Sequence, residues 1–151
     1  MHSLVRRYIK TAVIFLFVGL IIGLRMVVER DLLSRAPDAF ETSAHTHAIL
    51  VGFVMMMILG VALWLFPRAA RDERGYDPRV ASIAYWFLTT GTAVRIAGEL
   101  AESFFTLGSM GWIVVAASIA QVLGIGLFFF TMWSRIRPAG SHIREAKGER
   151  F

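Results

Sequence analysis

The amino-acid sequence predicts an all-α protein, a bundle of four transmembrane helices with both termini cytoplasmic. Three observations lead there: 56% of the 151 residues are hydrophobic, the 16 basic and 11 acidic residues leave four long uncharged gaps, and the basic residues favour one set of loops. A mean hydropathy of +0.61 is more apolar surface than a single soluble core of this size can bury. The same composition excludes intrinsic disorder. The absence of cysteine excludes disulfide frameworks, Cys-ligated zinc or iron–sulfur sites and covalent CxxCH heme attachment.

The first helix is expected at 8–28, where residues 12–24 carry no charge and follow a basic start of Arg6, Arg7 and Lys10. Such a start also opens signal peptides. Here no small-residue cleavage pattern follows Leu24, and the apolar run continues through Met26, Val27 and Val28. The second helix, 44–66, has no charge apart from two histidines. The third, 80–99, is uncharged up to Val94, and the fourth, 110–133, falls in a gap that runs from Ser103 to Ser134. Each approaches the ~20 residues a bilayer core requires. The chain, 1–151, thus reads as one integral membrane domain in a lipid bilayer with a basic cytoplasmic tail at 135–151.

Orientation follows from the loops. The N-terminal segment, the 67–79 loop and the tail hold Arg6, Arg7, Lys10, Arg68, Arg71, Arg74, Arg79, Arg135, Arg137, Arg144, Lys147 and Arg150. The opposite side holds Arg30 and Arg35, with Arg25 and Arg95 at span ends. That asymmetry is the positive-inside pattern. It also accounts for the formal charge of +5, so no nucleic-acid partner is called for. Trp64, Trp86 and Trp133 near the inner ends and Trp112 near the outer one suit interfacial belts.

With this topology Arg25, His45, His47, Arg95 and Glu99 collect in the outer third of the bundle. Ionisable residues at membrane depth are costly and are functional candidates by default. No carboxylate lies at the middle of a span, which argues against a proton- or cation-coupled transporter. On a helix turning about 100° per residue, His45 shares a face with Ala48, Ile49, Gly52, Met56 and Gly60, whereas His47 shares one with Val51, Val54, Ile58 and Val61. A flat macrocycle needs space close to the backbone. Ala48 and Gly52 would supply it, with Met56 a minor contact, so His45 is the better axial heme ligand. Were the helix to begin only after Ala48, His45 and His47 could converge on one metal ion such as copper. The plainer alternative makes both histidines ordinary polar tips at a helix start. Arg25 and Arg95 suit the two propionates of a heme; equally, Arg95 can pair with Glu99 one turn later while Arg25 reaches the outer headgroups.

Other features read as packing. Gly19 and Gly23 form a GxxxG, and Ala116, Ala117, Ala120 and Gly124 form a small-residue seam. Gln121 and Ser118 are expected to hydrogen-bond between helices. The run Met55, Met56, Met57 sweeps round helix 2, so at most one of them faces any given site.

The stretch Thr42-Ser-Ala-His45-Thr-His47-Ala-Ile-Leu-Val-Gly52-Phe-Val, ending in Leu65-Phe66-Pro67-Arg68, resembles the second transmembrane helix of the heme-copper oxidase catalytic subunit. It is most similar to the forms in bacterial nitric oxide reductases and C-type oxidases, where the first histidine of a His-Thr-Asn-like triplet is an axial ligand of the low-spin heme. His45 matches that ligand. The stretch is also similar to the NnrS family of heme- and copper-containing membrane proteins, whose His-Ala…Gly-Phe pattern fits His47, Ala48, Gly52 and Phe53. The resemblance implies heme b as cofactor, with copper the alternative, and an integral protein of the bacterial inner membrane.

The family's catalytic subunit has about three times as many helices, and the later ones carry its remaining heme and metal ligands. His2 and His142, the only other histidines here, fall in the termini. The chain alone is therefore not expected to reduce oxygen or nitric oxide. A second axial ligand would come from a methionine, from His47 of another copy or from a partner, and a symmetric homodimer is the economical solution. Three functions are in play: a heme-binding protein for electron transfer or gas-ligand binding, a copper- or other metal-binding protein using His45 and His47, and a non-catalytic subunit of a respiratory complex.

Overall fold

A computed structural model describes residues 3–66, 77–105, 110–136 and 148. The 67–76 loop, His2, His142 and seven of the basic residues behind the charge asymmetry (Arg68, Arg71, Arg74, Arg137, Arg144, Lys147 and Arg150) lie outside them. The described residues form four helices and no strand: α1, Ser3–Leu32; α2, Ala39–Leu65; α3, Pro78–Phe105; and α4, Gly111–Met132, which runs into a 3₁₀ turn at Trp133–Arg135.

Local chemistry sets the ends. α1 closes with Ser34 in the left-handed region, φ 54°, while the Arg35 N–H donates back to the Glu29 carbonyl at 3.0 Å, a Schellman-type stop. α2 opens at Ala39, five residues before the expected Ala44, because Asp38 caps it by accepting from the Phe40 N–H at 3.0 Å. The sequence-based start followed the apolar run; the polar first turn is helical because its free N–H groups have a partner. Asp77 caps α3 in the same way, accepting from the Arg79 N–H at 2.7 Å, with Pro78 at the first helical position.

The helices pair as two antiparallel hairpins. α1 and α2 meet where glycine removes bulk: Gly60 by Tyr8, Gly52 by Phe15, Gly19 by Ala48 and Ile49, and Gly23 by His45. α3 and α4 meet through Gly91 on Ala117 and Ala120, and Gly124 on Ala84 and Leu88. Ala116, expected in that seam, is exposed instead. The hairpins join at one end through Tyr8, whose ring stands edge-on to Tyr85 at 5.0 Å and to Phe128 at 5.9 Å. Beside them the Thr11 and Tyr85 hydroxyls share a hydrogen bond of 2.8 Å. Among lipid tails such close contact has to come from van der Waals packing and hydrogen bonds, since hydrophobic exclusion acts little between helices already out of water.

Three helices, α1, α2 and α4, are long and apolar enough to cross a membrane. α3 is 28 residues long but spends part of its length on Thr92, Arg95 and Glu99, of which Thr92 and Glu99 are buried. It lies along α4 from Ala84 by Gly124 to Gly98 by Val114. The outward faces of α1 (Ile14, Phe17, Ile21, Leu24) and α4 (Val115, Ile119, Val122) are exposed, as are Trp64, Trp86, Trp112 and Trp133. That is the surface a bilayer-embedded bundle presents.

Two features depart from the sequence-based picture. Residues Ala48–Met55 of α2 are π-helical. In an α-helix every fourth residue overshoots a full turn by about 40°, so the stripe Ala44, Ala48, Gly52, Met56, Gly60 would drift away from α1. The wider π turns take back that excess and keep all five residues buried. The second is Arg135, which the sequence places at the start of the basic tail. It is 5% exposed and donates to the carbonyls of Phe66 at 3.0 Å and Leu63 at 3.5 Å, occupying acceptors that the end of α2 leaves open.

Candidate functional site

At the end opposite the tyrosines, the starts of α2 and α4 meet the ends of α1 and α3. The residues singled out in the sequence gather here. His45 turns to α1: its Nδ1 lies 2.8 Å from the Gly19 carbonyl oxygen, and its ring lies over Gly23. A carbonyl can only accept, so Nδ1 carries the hydrogen, and Nε2 is the nitrogen left to offer a lone pair. Nε2 makes no hydrogen bond among the described residues. The GxxxG read as packing therefore has two jobs: Gly19 admits Ile49 and Ala48, and Gly23 admits the imidazole.

His47, two residues on and about 200° round the helix, turns to α3. Its Nδ1 donates to the Ser43 carbonyl at 2.8 Å and lies 3.8 Å from the Glu99 carboxylate. The helix begins before both histidines, so the condition for their convergence on one metal ion is not met. Among the described residues no group of three or more His, Cys, Asp or Glu gathers around a common point.

Glu99 is the hub of a buried polar chain. Its Oε1 accepts from the Ser43 hydroxyl at 2.8 Å and from Arg95 Nε at 3.0 Å. Arg95 Nη1 donates to Gln121 Oε1 at 3.4 Å, and Gln121 Nε2 donates to the Thr92 hydroxyl at 3.0 Å. Helices α2, α3 and α4 are thereby tied together by groups that would each be costly alone in hydrocarbon. Gln121 bonds between helices as expected. Ser118 does not: its hydroxyl returns to the Val114 carbonyl of its own helix at 2.6 Å.

Arg25 is held by the protein's own carboxylates. It donates to Glu29 at 2.6 Å, lies 2.9 Å from Glu41, outside hydrogen-bonding angles, and stands 4.2 Å over the Phe104 ring. Glu41, 1% exposed, was missed in the sequence because it fell outside the expected helix. Its signal was there: it stands three residues after Asp38, the spacing of a capping pair.

Gly52 faces the Phe15 ring, which stands where the sequence reading placed space for a macrocycle. Met56 is fully buried and belongs to the same α1–α2 contact; of the three methionines in the run it alone is fully inside.

Against known families, the chain matches Cytochrome C and Quinol oxidase polypeptide I over residues 3–144. No curated protein and no solved structure matches it.

Proposed function

The chain belongs to the cytochrome C and quinol oxidase polypeptide I family, and on that premise we propose that this membrane protein binds a b-type heme, for electron transfer or for binding of heme or a gas ligand, with His45 as an axial ligand. The observation that carries the reading is the fixed His45 imidazole. Its Nδ1–H is committed to the Gly19 carbonyl, which orients the ring and leaves Nε2 as the basic nitrogen, the arrangement usual for a histidine that binds metal.

A heme bound there supplies one-electron chemistry, or an open iron position for a small ligand. The chain's own part is to hold the ring and manage charge. Gly23 gives the imidazole its seat. Arg25, already matched by Glu29 and Glu41, has little charge left for a propionate. Arg95 faces the single carboxylate of Glu99 and the neutral Gln121 amide, so more of its charge is left unmatched, which makes it the better propionate partner. We further propose that both termini are cytoplasmic in a bacterial inner membrane, and that the second axial ligand comes from a second copy or a partner subunit.

The test is the absorption spectrum of detergent-purified protein made with ample heme supply. A Soret band that His45→Ala abolishes and His47→Ala retains supports the reading; absence of heme from the unmodified protein rejects it.

A further inference from the structure

We infer that Glu99 is a positioning residue for His45: acting through Ser43, it sets the rotation of the first turns of α2 and so holds the imidazole in its seat on α1. The inference rests on the heme reading only for its functional consequence, since the link itself needs no cofactor.

The need for such a device comes from the π segment. In an uninterrupted α-helix, the burial of Met56, Leu59 and Leu63 would dictate where every residue of the helix points. Here eight π-helical residues stand between that anchored half and Ala39–His47. The rotation of the histidine-bearing turns then depends on how much of the helix is π and how much is α, so it has to be fixed by contacts of those turns themselves.

Ser43 supplies one such contact on the side away from α1. It precedes His45 by two residues, so the two side chains point about 200° apart. One reaches Glu99 on α3 at 2.8 Å, the other the Gly19 carbonyl on α1 at 2.8 Å. The segment is pinned across its diameter, and slip at one pin opens the other. Glu99 is itself held by Arg95 at 3.0 Å one turn earlier on its own helix. A contribution to stability alone accounts poorly for this carboxylate. It is 3% exposed, and its second oxygen, Oε2, accepts no hydrogen bond, a cost at membrane depth. Its bond to another helix is the one to Ser43.

The experiment uses full-length protein in lipid nanodiscs, labelled with [15N]histidine, whose ring shifts report the tautomer and hydrogen bonding of His45 with or without heme. Ser43→Ala removes only the hydroxyl and leaves the Arg95–Glu99 pair intact. It is expected to lose the hydrogen-bonded Nδ1–H signature of His45 while helicity is unchanged, and to lose the Soret band with it. Ser43→Thr, which restores a hydroxyl, keeps both. Glu99→Ala repeats the loss of the His45 signature, and combining it with Ser43→Ala takes that signature no further, because for this ring the two remove one link, although Glu99→Ala also releases Arg95. A Ser43→Ala protein with the His45 signature intact overturns the inference. A signature that responds as expected in a protein without a Soret band supports it and rejects the heme reading alone.

Discussion

Gly23 of α1 lies under the imidazole of His45, so close that a Cβ on this glycine would stand 2.8 Å from the ring's Cε1 and 3.1 Å from Nδ1. The ring is held by its bond to Gly19 and has little freedom to retreat. Gly23→Ala is therefore expected to expel His45 from its seat and to abolish heme uptake while helix content is kept. Gly19→Ala meets the flexible end of Ile49 at 2.5 Å and should retain most of the heme. Heme per protein, measured on both variants, checks the contrast; equal loss in both would reduce the GxxxG to general packing.

Arg25 neutralises a carboxylate that is 1% exposed. Arg25→Ala leaves Glu41 buried without its cation. It is expected to cost about 2 kcal/mol, below the range for fully buried pairs because Arg25 keeps over a third of its surface exposed. Adding Glu41→Gln should recover most of that loss, measured by unfolding in mixed micelles. No recovery in the double variant would mean that Arg25 acts through Phe104 and Glu29.

Gln121 bridges Arg95 to Thr92 across α3 and α4. Gln121→Leu is predicted to destabilise by about 1 kcal/mol, the size of a polar link between membrane helices. The seam around Gly91 and Gly124 should keep the hairpin paired. The same unfolding assay reads the effect, and a loss several times larger would assign Gln121 a larger role than bridging.

Much of this architecture was legible in the sequence because bilayer length and charge exclusion act on long stretches. The fourth helix, expected at 110–133, is observed at Gly111–Met132. What escaped was local or depended on contacts. The start of α2 was missed because apolarity, not the Asp38 cap, was followed. The π segment Ala48–Met55 leaves no mark in a run that is apolar all round; it exists because α1 demands a stripe of every fourth residue. The gathering of Arg25, His45, His47 and Glu99 at one end follows from topology and was foreseen. That Phe15 would fill the space beside Gly52, and that Gly23 would make room for the imidazole, depends on how α1 packs on α2.

The topology proposal is testable without background, since the chain has no cysteine. A single cysteine placed after Phe151 should react with a membrane-impermeant maleimide only once cells are opened. Arg35→Cys should react in intact cells with a permeable outer membrane. The reverse pattern would invert the assignment and put the histidines at the cytoplasmic end.

In the proposed function, His45 Nε2 is the nitrogen that binds iron. The most direct measurement is chemical rescue: His45→Gly protein is purified, and its heme spectrum is recorded before and after addition of free imidazole. The Soret band is expected to be lost in His45→Gly, to return with imidazole, and to be unaffected by His47→Gly. A full Soret band in His45→Gly without imidazole, or its loss in His47→Gly, would contradict it.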